Sequence, residues 1–393
     1  MGMLAAVAPG STLAIAFLAV CLALVLAFEF SNGFHDTANA MATSIATGAL
    51  KPRVAVLIAG VLNVVGAFLS VEVAKTISSG LVDETKISPV VIFAGLVGAI
   101  VWNLATWLLG LPSSSSHALF GGLIGASVVA AGLGAVHFGA VVSKIVLPAL
   151  ISPFLAGIIA LVGTLFAYRS TARADATRVR KGFRIGQIAS ASMVALAHGT
   201  SDAQKTMGVI TLTLITAGVL APNAGPPIWV ILAAGLAIGL GTYLGGWRII
   251  RTLGKRVSEI ETPQGFAAET STTAVILASS HLGFALSTTQ VATGAIFGAG
   301  ADKRLAGVRW NVAGQMAIAW VVTLPAAAVV GAVAAYAAST GVIGTVVVAV
   351  VAVAVAAGIY AASRRTPVTA ENVNDTPDER TAESEDAPVG ASR

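Results

Sequence analysis

The sequence predicts an all-α polytopic membrane protein built from two related halves, and three observations lead to that fold class. The 393 residues are 56% hydrophobic and 10% charged, with a mean hydropathy of +0.87, whereas soluble domains carry about 25% charged residues. Its long apolar runs suit membrane helices, because the strands of a membrane barrel are short and alternate in polarity. Two kinds of polar motif each occur twice, in the same order. That order indicates an internal duplication.

The first repeated motif is a polar, glycine-containing cluster inside an apolar segment. It reads FSNGFHDTANA at Phe30–Ala40 and AHGTSDAQKTM at Ala197–Met207. An offset of 166 residues aligns the two copies and pairs Gly33 with Gly199, Asp36 with Asp202, Asn39 with Lys205 and Met41 with Met207. Polar groups at membrane depth are costly unless they line a cavity or bind a ligand. Because interrupted helices in corresponding places mark transporter binding sites, we expect a break in the helix at each cluster.

The second repeated motif is a cluster of hydroxyl side chains between two apolar pieces. An offset of 173 residues aligns Gly110–Ala126 with Gly283–Ala299, and the first copy contains Leu111-Pro-Ser-Ser-Ser-Ser-His117. This pattern predicts the tip of a re-entrant hairpin. Serine or threonine caps the start of a helix, whose N–H groups and positive dipole end form an anion site. The alternative is that these hydroxyls hold membrane helices together.

The remaining elements follow from the apolar runs and the charges between them. Arg169–Arg184 has six basic residues and one acid, which indicates a cytoplasmic linker. We divide the chain into a first repeat at 11–168, this linker at 169–184, a second repeat at 185–362 and a disordered acidic tail at 366–393. The apolar runs within the repeats are Ser11–Phe30, Val54–Lys75, Pro89–Leu109, Ala118–Leu133, Phe138–Tyr168, Ile185–Ala217, Pro226–Ile250, Glu269–Phe284, Val291–Gly300, Leu305–Ala338 and Gly341–Ala362.

The charge distribution argues against a nucleic-acid partner, although the sequence pI is about 9.6. The tail 366–393 carries seven acidic and two basic residues, so the positive charge is concentrated in the loops that precede it. Basic cytoplasmic loops explain this excess through the positive-inside rule. We therefore expect a multi-pass protein of the plasma (inner) membrane, with the lipid bilayer as its surroundings.

Asp36 and Asp202 are the two aspartates of the polar clusters, and a buried carboxylate needs a cation, a proton or a donor partner. Beside an anion site, they are candidates for binding a coupling ion or proton, together with Asn32, His35 and His198. The alternative for Asp202 is a structural ion pair with Lys205 at i, i+3. The histidines have no spacing typical of a metal site, so no resident metal site is predicted. Because the sequence contains no nucleophile–base pair and no phosphate-gripping loop, we expect an ion gradient to supply the energy and no enzymatic activity.

The four motifs together resemble the inorganic phosphate transporter (PiT) family, most closely its bacterial low-affinity branch. The residues that carry the resemblance are NGFHDTANA, GLPSSSSHALFGG, HGTSDAQKTMG and the STTQ hairpin. The resemblance implies symport of phosphate with a cation, by two inverted repeats with broken helices and paired re-entrant hairpins. It assigns phosphate binding to a set of hairpin and cluster residues: Ser114, Ser115, Ser116, Ser287, Thr288, Thr289, Asn39, Gln204 and Lys205.

Two departures from the family pattern bear on the coupling ion. His35 replaces the asparagine that is usual in the family, and Asn63 stands where sodium-coupled animal members carry a glutamate. Both departures favour co-transported protons over sodium, with phosphate carried as a complex with a divalent metal. Gln290 stands where a histidine is common.

We therefore expect a secondary active importer of inorganic phosphate that works by alternating access. A sodium-coupled phosphate symporter and a sulfate permease of the same fold are the nearest alternatives. A membrane-embedded enzyme acting on a lipid phosphate is an alternative of a different class, but it would not require a duplicated site. A non-transporting structural protein would not need paired aspartates. The sequence leaves the oligomeric state open, with a homodimer among the alternatives.

Overall fold

The computed structural model describes residues 11–257, 260–301 and 309–375, and these residues form helices without a β-strand. The helices of the first half are α1 (Thr12–Ala46), α2 (Pro52–Gly66), α3 (Glu72–Gly80), α4 (Pro89–Leu108), α5 (Ser115–Ala131), α6 (Phe138–Val141) and α7 (Leu147–Thr171). Those of the second half are α8 (Ala176–Thr216), α9 (Ile228–Leu244), α10 (Trp247–Arg251), α11 (Thr262–His281), α12 (Thr288–Gly300), α13 (Trp310–Ala338) and α14 (Val342–Ser363). Short π-helical segments join α6 to α7 at Val142–Val146 and extend α10 at Thr252–Arg256.

Two helical hairpins stand where the repeated hydroxyl motifs predict them. α4 packs against α5, and α11 packs against α12. With 17 and 13 residues, α5 and α12 are shorter than the roughly 20 residues that cross a bilayer. Gly110 and Gly283 occupy equivalent places in the two turns, with φ of 65° and 68°, a region that favours glycine.

Helices of each half pack against helices of the other half. The hairpin α4–α5 of the first half packs against α13 of the second, and the hairpin α11–α12 packs against α7 of the first. In the same way α1 packs against α9, and α2 packs against α8. Such reciprocal packing is what a twofold relation between duplicated halves would give, and it brings the corresponding motifs to the middle of the molecule.

The helices that carry the polar clusters are continuous, so the predicted break at each cluster is wrong. α1 and α8 run through the clusters without interruption. Thr37 and Thr200 turn their hydroxyls back onto carbonyl groups of their own helices, at 2.7 and 2.8 Å. Gly33 provides close packing instead of a hinge, because a Cβ atom there would lie 2.4 Å from the Ile238 carbonyl oxygen of α9.

Two other apolar segments are interrupted, one between α2 and α3 and one between α9 and α10. The apolar run Val54–Lys75 is divided between α2 and α3, and Gln204 Oε1 accepts a hydrogen bond from Val73 N–H in the first turn of α3 at 2.8 Å. The axis bends by 61° between α9 and α10, at Gly245, which has φ of 77°. Among the described residues, five helices are long and apolar enough to cross a membrane, or six if the bent pair is one span.

Basic side chains gather at one end of the molecule and bind the carboxyl ends of helices. Arg248 donates to the carbonyl oxygens of Leu108 and Ser363, and Lys255 donates to that of Ala46, so they bind the ends of α4, α14 and α1. Cations are favourable at these negative helix ends. By the positive-inside rule, we take this basic end as the cytoplasmic end.

Two predicted boundaries change. The linker 169–184 shortens to residues 172–175, because α7 and α8 extend into it from either side. Residues 366–375 of the predicted disordered tail fold back onto the basic end, where Arg251 binds Asn372 and Arg53 pairs with Glu371. Because of these contacts, residues 366–375 are not part of a disordered tail. Residues 376–393 lie outside the described residues.

Replacing Gly125 by alanine is expected to destabilise the contact between α5 and α13. A Cβ atom at Gly125 would lie 1.9 Å from the Ala328 carbonyl oxygen, so the helices would have to separate. Overpacking of this kind costs about 1–3 kcal/mol. The midpoint of thermal unfolding in detergent would measure the loss, and Gly358→Ala is the matched control because no atom lies within 4 Å of the added Cβ. Equal midpoints for both variants would contradict the close approach of α5 and α13.

Candidate functional site

Both clusters and both hairpin tips converge on two buried aspartates. Asp36 projects from α1 and Asp202 from α8, and their exposed fractions are 1% and 0%. The tips of the two hairpins are formed by the first residues of α5 and α12. The predicted pairing of the aspartates with the hydroxyl motifs is therefore present in the fold.

Asp36 accepts hydrogen bonds from both hairpins. Ser115 Oγ, at the start of α5, donates to Asp36 Oδ2 at 2.8 Å. Thr289 Oγ1, at the start of α12, lies 3.4 Å from Asp36 Oδ1. Thr288 Oγ1 lies 3.4 Å from Asp36 Oδ2 and 3.3 Å from Asp202 Oδ2, so its single proton can be donated to either carboxylate. The hydroxyls predicted to bind phosphate thus surround the predicted ion site directly.

The two histidines lie one beside each aspartate. His35 Nδ1 is 2.6 Å from Asp36 Oδ1, and its other nitrogen faces Thr106 Oγ1 at 3.3 Å. His198 Nε2 lies 3.4 Å from Asp202 Oδ2. Each carboxylate therefore has an imidazole as a neighbour.

Lys205 brings a buried ammonium group into the same site. Its Nζ lies 2.6 Å from Asp202 Oδ1 and donates to Ser116 Oγ at 2.6 Å. The side chain is 2% exposed, and it connects α8 to the tip of the first hairpin. Asn39, the repeat counterpart of Lys205, donates from Nδ2 to Thr289 Oγ1 of the second hairpin at 3.1 Å. The two positions thus join the central helices to opposite hairpins.

The hairpin helices begin with the predicted serine caps. Ser114 Oγ accepts from the backbone N–H of His117 at 3.1 Å, and Ser287 Oγ accepts from that of Gln290 at 3.3 Å. Each cap satisfies one N–H group of the first turn, and a helix start leaves others without an intrahelical partner. Two positive helix ends therefore face the region of the carboxylates, where they favour an anion.

One grouping in the site could hold a cation, although the sequence predicts no metal site. One oxygen each of Asp36 and Asp202 and one nitrogen of His198 lie within 4.8 Å of one another. Two carboxylate oxygens and an imidazole are ligands that divalent metals accept. The signal was missed because its three members come from two helices that are far apart in the sequence.

The role of Gln204 in binding phosphate stays a prediction, since its side chain contacts the backbone in this structure. Its amide binds two backbone groups, because Oε1 accepts from Val73 N–H and Nε2 donates to the Thr200 carbonyl at 2.6 Å. Asn32 lies nearer the amino end of α1, where its Nδ2 is 3.4 Å from Glu29 Oε2. Among the described residues, neither side chain hydrogen-bonds an aspartate of the site.

Other polar side chains around the site were not selected from the sequence. Asn63 Oδ1 accepts from His198 Nδ1 at 3.1 Å, and Asn63 Nδ2 donates to Thr242 Oγ1 at 2.8 Å, so Asn63 orients the imidazole. Glu269 is also buried. Its carboxylate accepts from Thr43 and Ser190, both at 2.5 Å, and from Gln187 at 3.3 Å.

A large cavity lies beside the site and has a different character from it. It measures about 780 Å³ and lies among α7, α12 and α13, with Leu150, Phe154 and Val321 on its walls. His117 and Gln290 contribute polar groups to a lining that is otherwise mostly apolar. Since its wall residues belong to lipid-facing helices, we do not assign the cavity to the polar site.

Comparison with known proteins agrees with this geometry. The model of the phosphate transporter family matches residues 32–176 and 165–331. The chain belongs to the phosphate transporter family. The first matched range contains Asp36 and the first hydroxyl motif, and the second contains Asp202 and the second hydroxyl motif.

Relatives within the family extend over most of the chain. A probable low-affinity inorganic phosphate transporter of Mycobacterium tuberculosis is 54% identical over 360 residues, covering 91% of this chain and 86% of the relative. One of Bacillus subtilis, with the same description, is 43% identical over 311 residues, covering 79% and 93%. These relatives are transporters, and the chain is a multi-pass protein of the plasma membrane rather than an enzyme.

A solved structure has a similar fold. It is described as the sodium-dependent phosphate transporter, and it aligns with a TM-score of 0.74 at 25% identity. The alignment covers 82% of this chain and 98% of the other. The arrangement of helices found here is therefore that of a known phosphate transporter.

Proposed function

We propose that this member of the phosphate transporter family is a secondary active symporter that imports inorganic phosphate with protons. The observation that carries the proposal is the meeting of two hydroxyl-bearing hairpin tips at the buried pair Asp36 and Asp202. Phosphate would bind to hydroxyls and helix ends that belong to both hairpins. The carboxylates would bind the positive partner.

The composition of the site supports an anion bound together with a positive charge. Ser115, Thr288 and Thr289 are neutral donors, and Lys205 adds a positive charge 2.6 Å from Ser116 Oγ. A bare anion would be repelled by ionised Asp36 and Asp202, so a proton or cation has to accompany it. Phosphate that carries a proton can also donate a hydrogen bond to a carboxylate, which sulfate cannot do at neutral pH.

The positive partner that the site favours is a proton, with a divalent metal complexed to the phosphate. Lys205 already occupies one oxygen of Asp202 with a resident charge, and His35 and His198 can take up protons. A metal that travels with phosphate as cargo would find the oxygens of Asp36 and Asp202 and the imidazole of His198 as ligands. Sodium coupling is the alternative, and it accords with the description of the solved relative.

Alternating access follows from where the contacts lie. Each hairpin tip bonds to a central helix through few side chains, such as Ser115 to Asp36 and Lys205 to Ser116. Phosphate would compete for these same hydroxyls. Loading and release would therefore change the contacts between the hairpins and the central helices, as expected where a site lies between repeats.

Radiolabelled phosphate uptake into proteoliposomes tests the proposal. An imposed proton gradient should drive accumulation of phosphate, and a sodium gradient at equal pH should not. Addition of a divalent metal should stimulate uptake, and excess sulfate should not compete with it. Protein-free liposomes are the control for leak.

The outcomes separate the alternatives. Phosphate accumulation driven by a sodium gradient alone would support phosphate transport but overturn the assignment of protons as the coupling ion. Competition by sulfate, with sulfate itself accumulated, would overturn the assignment of phosphate as the preferred oxyanion. Equal uptake with and without divalent metal would remove the metal from the cargo.

A further inference from the structure

Glu29 is a buried carboxyl group on α1 that the phosphate site does not use. It is 0% exposed. Its Oε2 accepts from Thr206 Oγ1 at 2.5 Å and from Asn32 Nδ2 at 3.4 Å. Its Oε1 has no hydrogen-bond partner among the described residues, and neither has the neighbouring Asn32 Oδ1.

The other buried glutamate makes the contrast clear. Glu269 has both carboxyl oxygens hydrogen-bonded, by donors from α1 and α8. Glu29 has donors on one oxygen only. A buried carboxylate with an unpartnered oxygen is costly when it is ionised, whereas a neutral carboxyl group bears this environment at lower cost.

Glu29 lies on the side of the site that faces away from the cytoplasm. It precedes Asp36 by seven residues of continuous helix, so it is displaced by about 10 Å along the axis at 1.5 Å per residue. The basic side chains gather at the opposite, carboxyl end of α1, where Lys255 binds the Ala46 carbonyl. A proton arriving from outside would therefore meet the level of Glu29 before that of Asp36.

No described basic side chain forms an ion pair with Glu29. The charged groups that influence it are Asp202 and Lys205 on α8, and Lys205 is held by Asp202 and Ser116. The neighbouring helices α4 and α12 have no titratable residue in their sequences, and the only one on α9 is the exposed Tyr243. The other charged or titratable groups lie on α1 itself or on elements packed against it. They are Cys21, His35 and Asp36 on α1, Arg53 on α2, His117 on α5, Arg178, Arg180, Lys181, Arg184 and His198 on α8, Arg248 and Arg251 on α10, Lys255 and Arg256 in the π-helical segment, and Glu269 and His281 on α11.

We propose that Glu29 is the outward-side proton-binding residue of the transport cycle. The inference rests on the proposed proton symport and adds a site to it. A proton from the outer solution adds to the Glu29 carboxylate and is later released to the cytoplasm with the substrate. The oxygens of Glu29 and Asn32 suit a proton better than a metal ion, because hard cations take about six or more oxygen ligands. Here two oxygens are unpartnered, Glu29 Oε1 and Asn32 Oδ1.

The connection to the phosphate site runs through α8. Thr206, which contacts Glu29, directly follows Lys205, which contacts Asp202 and the first hairpin. A shift of this part of α8 when phosphate binds would change both contacts together. Protonation of Glu29 and occupation of the phosphate site are thereby linked.

Glu29→Gln separates proton coupling from phosphate binding. In proteoliposomes the variant should lose concentrative uptake driven by a proton gradient. It should retain phosphate counterflow at equal pH on both sides, because exchange does not require net proton movement. Glu72→Gln, which changes an exposed carboxyl group, is the control and should behave as wild type in both assays.

Each result decides between explanations. Proton-driven accumulation by Glu29→Gln at the wild-type level would overturn the role of Glu29 while leaving phosphate symport intact. Loss of counterflow as well, in a folded variant, would make Glu29 a structural support of the phosphate site. Loss of a sodium-dependent component alone would identify a cation site instead. Absence of phosphate transport by wild type would instead refute the proposed function.

Thr206→Val provides a second variant if Glu29→Gln does not fold. Valine keeps the shape of the side chain but removes the hydroxyl that lies closest to the Glu29 carboxyl group. The pH profile of proton-driven uptake should then be displaced relative to wild type. A wild-type pH profile for Thr206→Val would overturn the inference.

Discussion

Replacing Asp36 by asparagine is expected to abolish phosphate uptake while leaving the fold intact. Asp36 accepts from Ser115 at 2.8 Å and has His35 at 2.6 Å, with Thr288 and Thr289 at 3.4 Å. Asparagine keeps the shape but cannot carry the charge that attracts a proton or cation. Hydrogen bonds to a charged group contribute about 1.5–3 kcal/mol each, so we expect uptake to fall to about one-hundredth of the wild-type rate or less.

Asp83→Asn is the matched control for this substitution. Hydrogen bonds from Lys86 and Thr85 lower the pKa of Asp83 to about 2, so the Asp83 carboxylate is ionised in a neutral assay. It lies in the connection between α3 and α4, away from the central helices. Its replacement should leave uptake unchanged. Substantial uptake by Asp36→Asn, measured with radiolabelled phosphate in proteoliposomes, would mean that transport does not need the charge of Asp36.

The duplication explains why this part of the site could be predicted from one sequence. Each half acts as a comparison for the other, and a polar pattern that occurs twice in an apolar chain has a physical reason. Asp36 and Asp202 were found in this way, as were the hydroxyls that cap and begin α5 and α12. The sequence offsets do not show which carboxylate oxygen faces which hydroxyl donor, because those contacts depend on how the helices of the two halves pack against each other.

Adjacent residues on a helix show the limit of motif reasoning. Gln204 and Lys205 belong to the same motif, but side chains one residue apart point about 100° away from each other on a helix. Lys205 therefore faces Asp202 and the first hairpin, whereas Gln204 faces α3. The motif alone does not show which of these two side chains faces Asp202, because it does not encode the position of α3.

Comparing the two halves does not reveal polar residues that have no polar counterpart in the other half. The offset of 166 places Ala195 opposite Glu29, so the comparison of halves passes over it. A single acidic residue in an apolar run was nevertheless a signal, because ionisable residues inside membranes are expensive. The predicted helix breaks failed for the opposite reason, since the glycines of the clusters serve close helix contacts rather than hinges.

The pair Lys205 and Asp202 offers the sharpest test of whether the buried charges are structural or functional. Each of Lys205→Met and Asp202→Asn leaves a buried partner charge without its ion pair, which costs about 3–5 kcal/mol. Both single variants should therefore unfold at clearly lower temperature than wild type. The double variant removes both charges and should regain much of the lost stability, because replacing a buried pair by neutral groups is often close to neutral.

Uptake should behave differently from stability in the same three variants. Lys205 contributes the ammonium group beside Ser116, and Asp202 contributes one of the two carboxylates, so the stable double variant should still fail to transport phosphate. The exposed pair Lys75 and Glu72, with Nζ and Oε1 2.8 Å apart, is the control, since surface pairs contribute about 0–1 kcal/mol. If the double variant of Lys205 and Asp202 recovered uptake together with stability, the pair would be a structural ion pair, and Asp36 would be the one carboxylate of the phosphate site that binds a proton or cation.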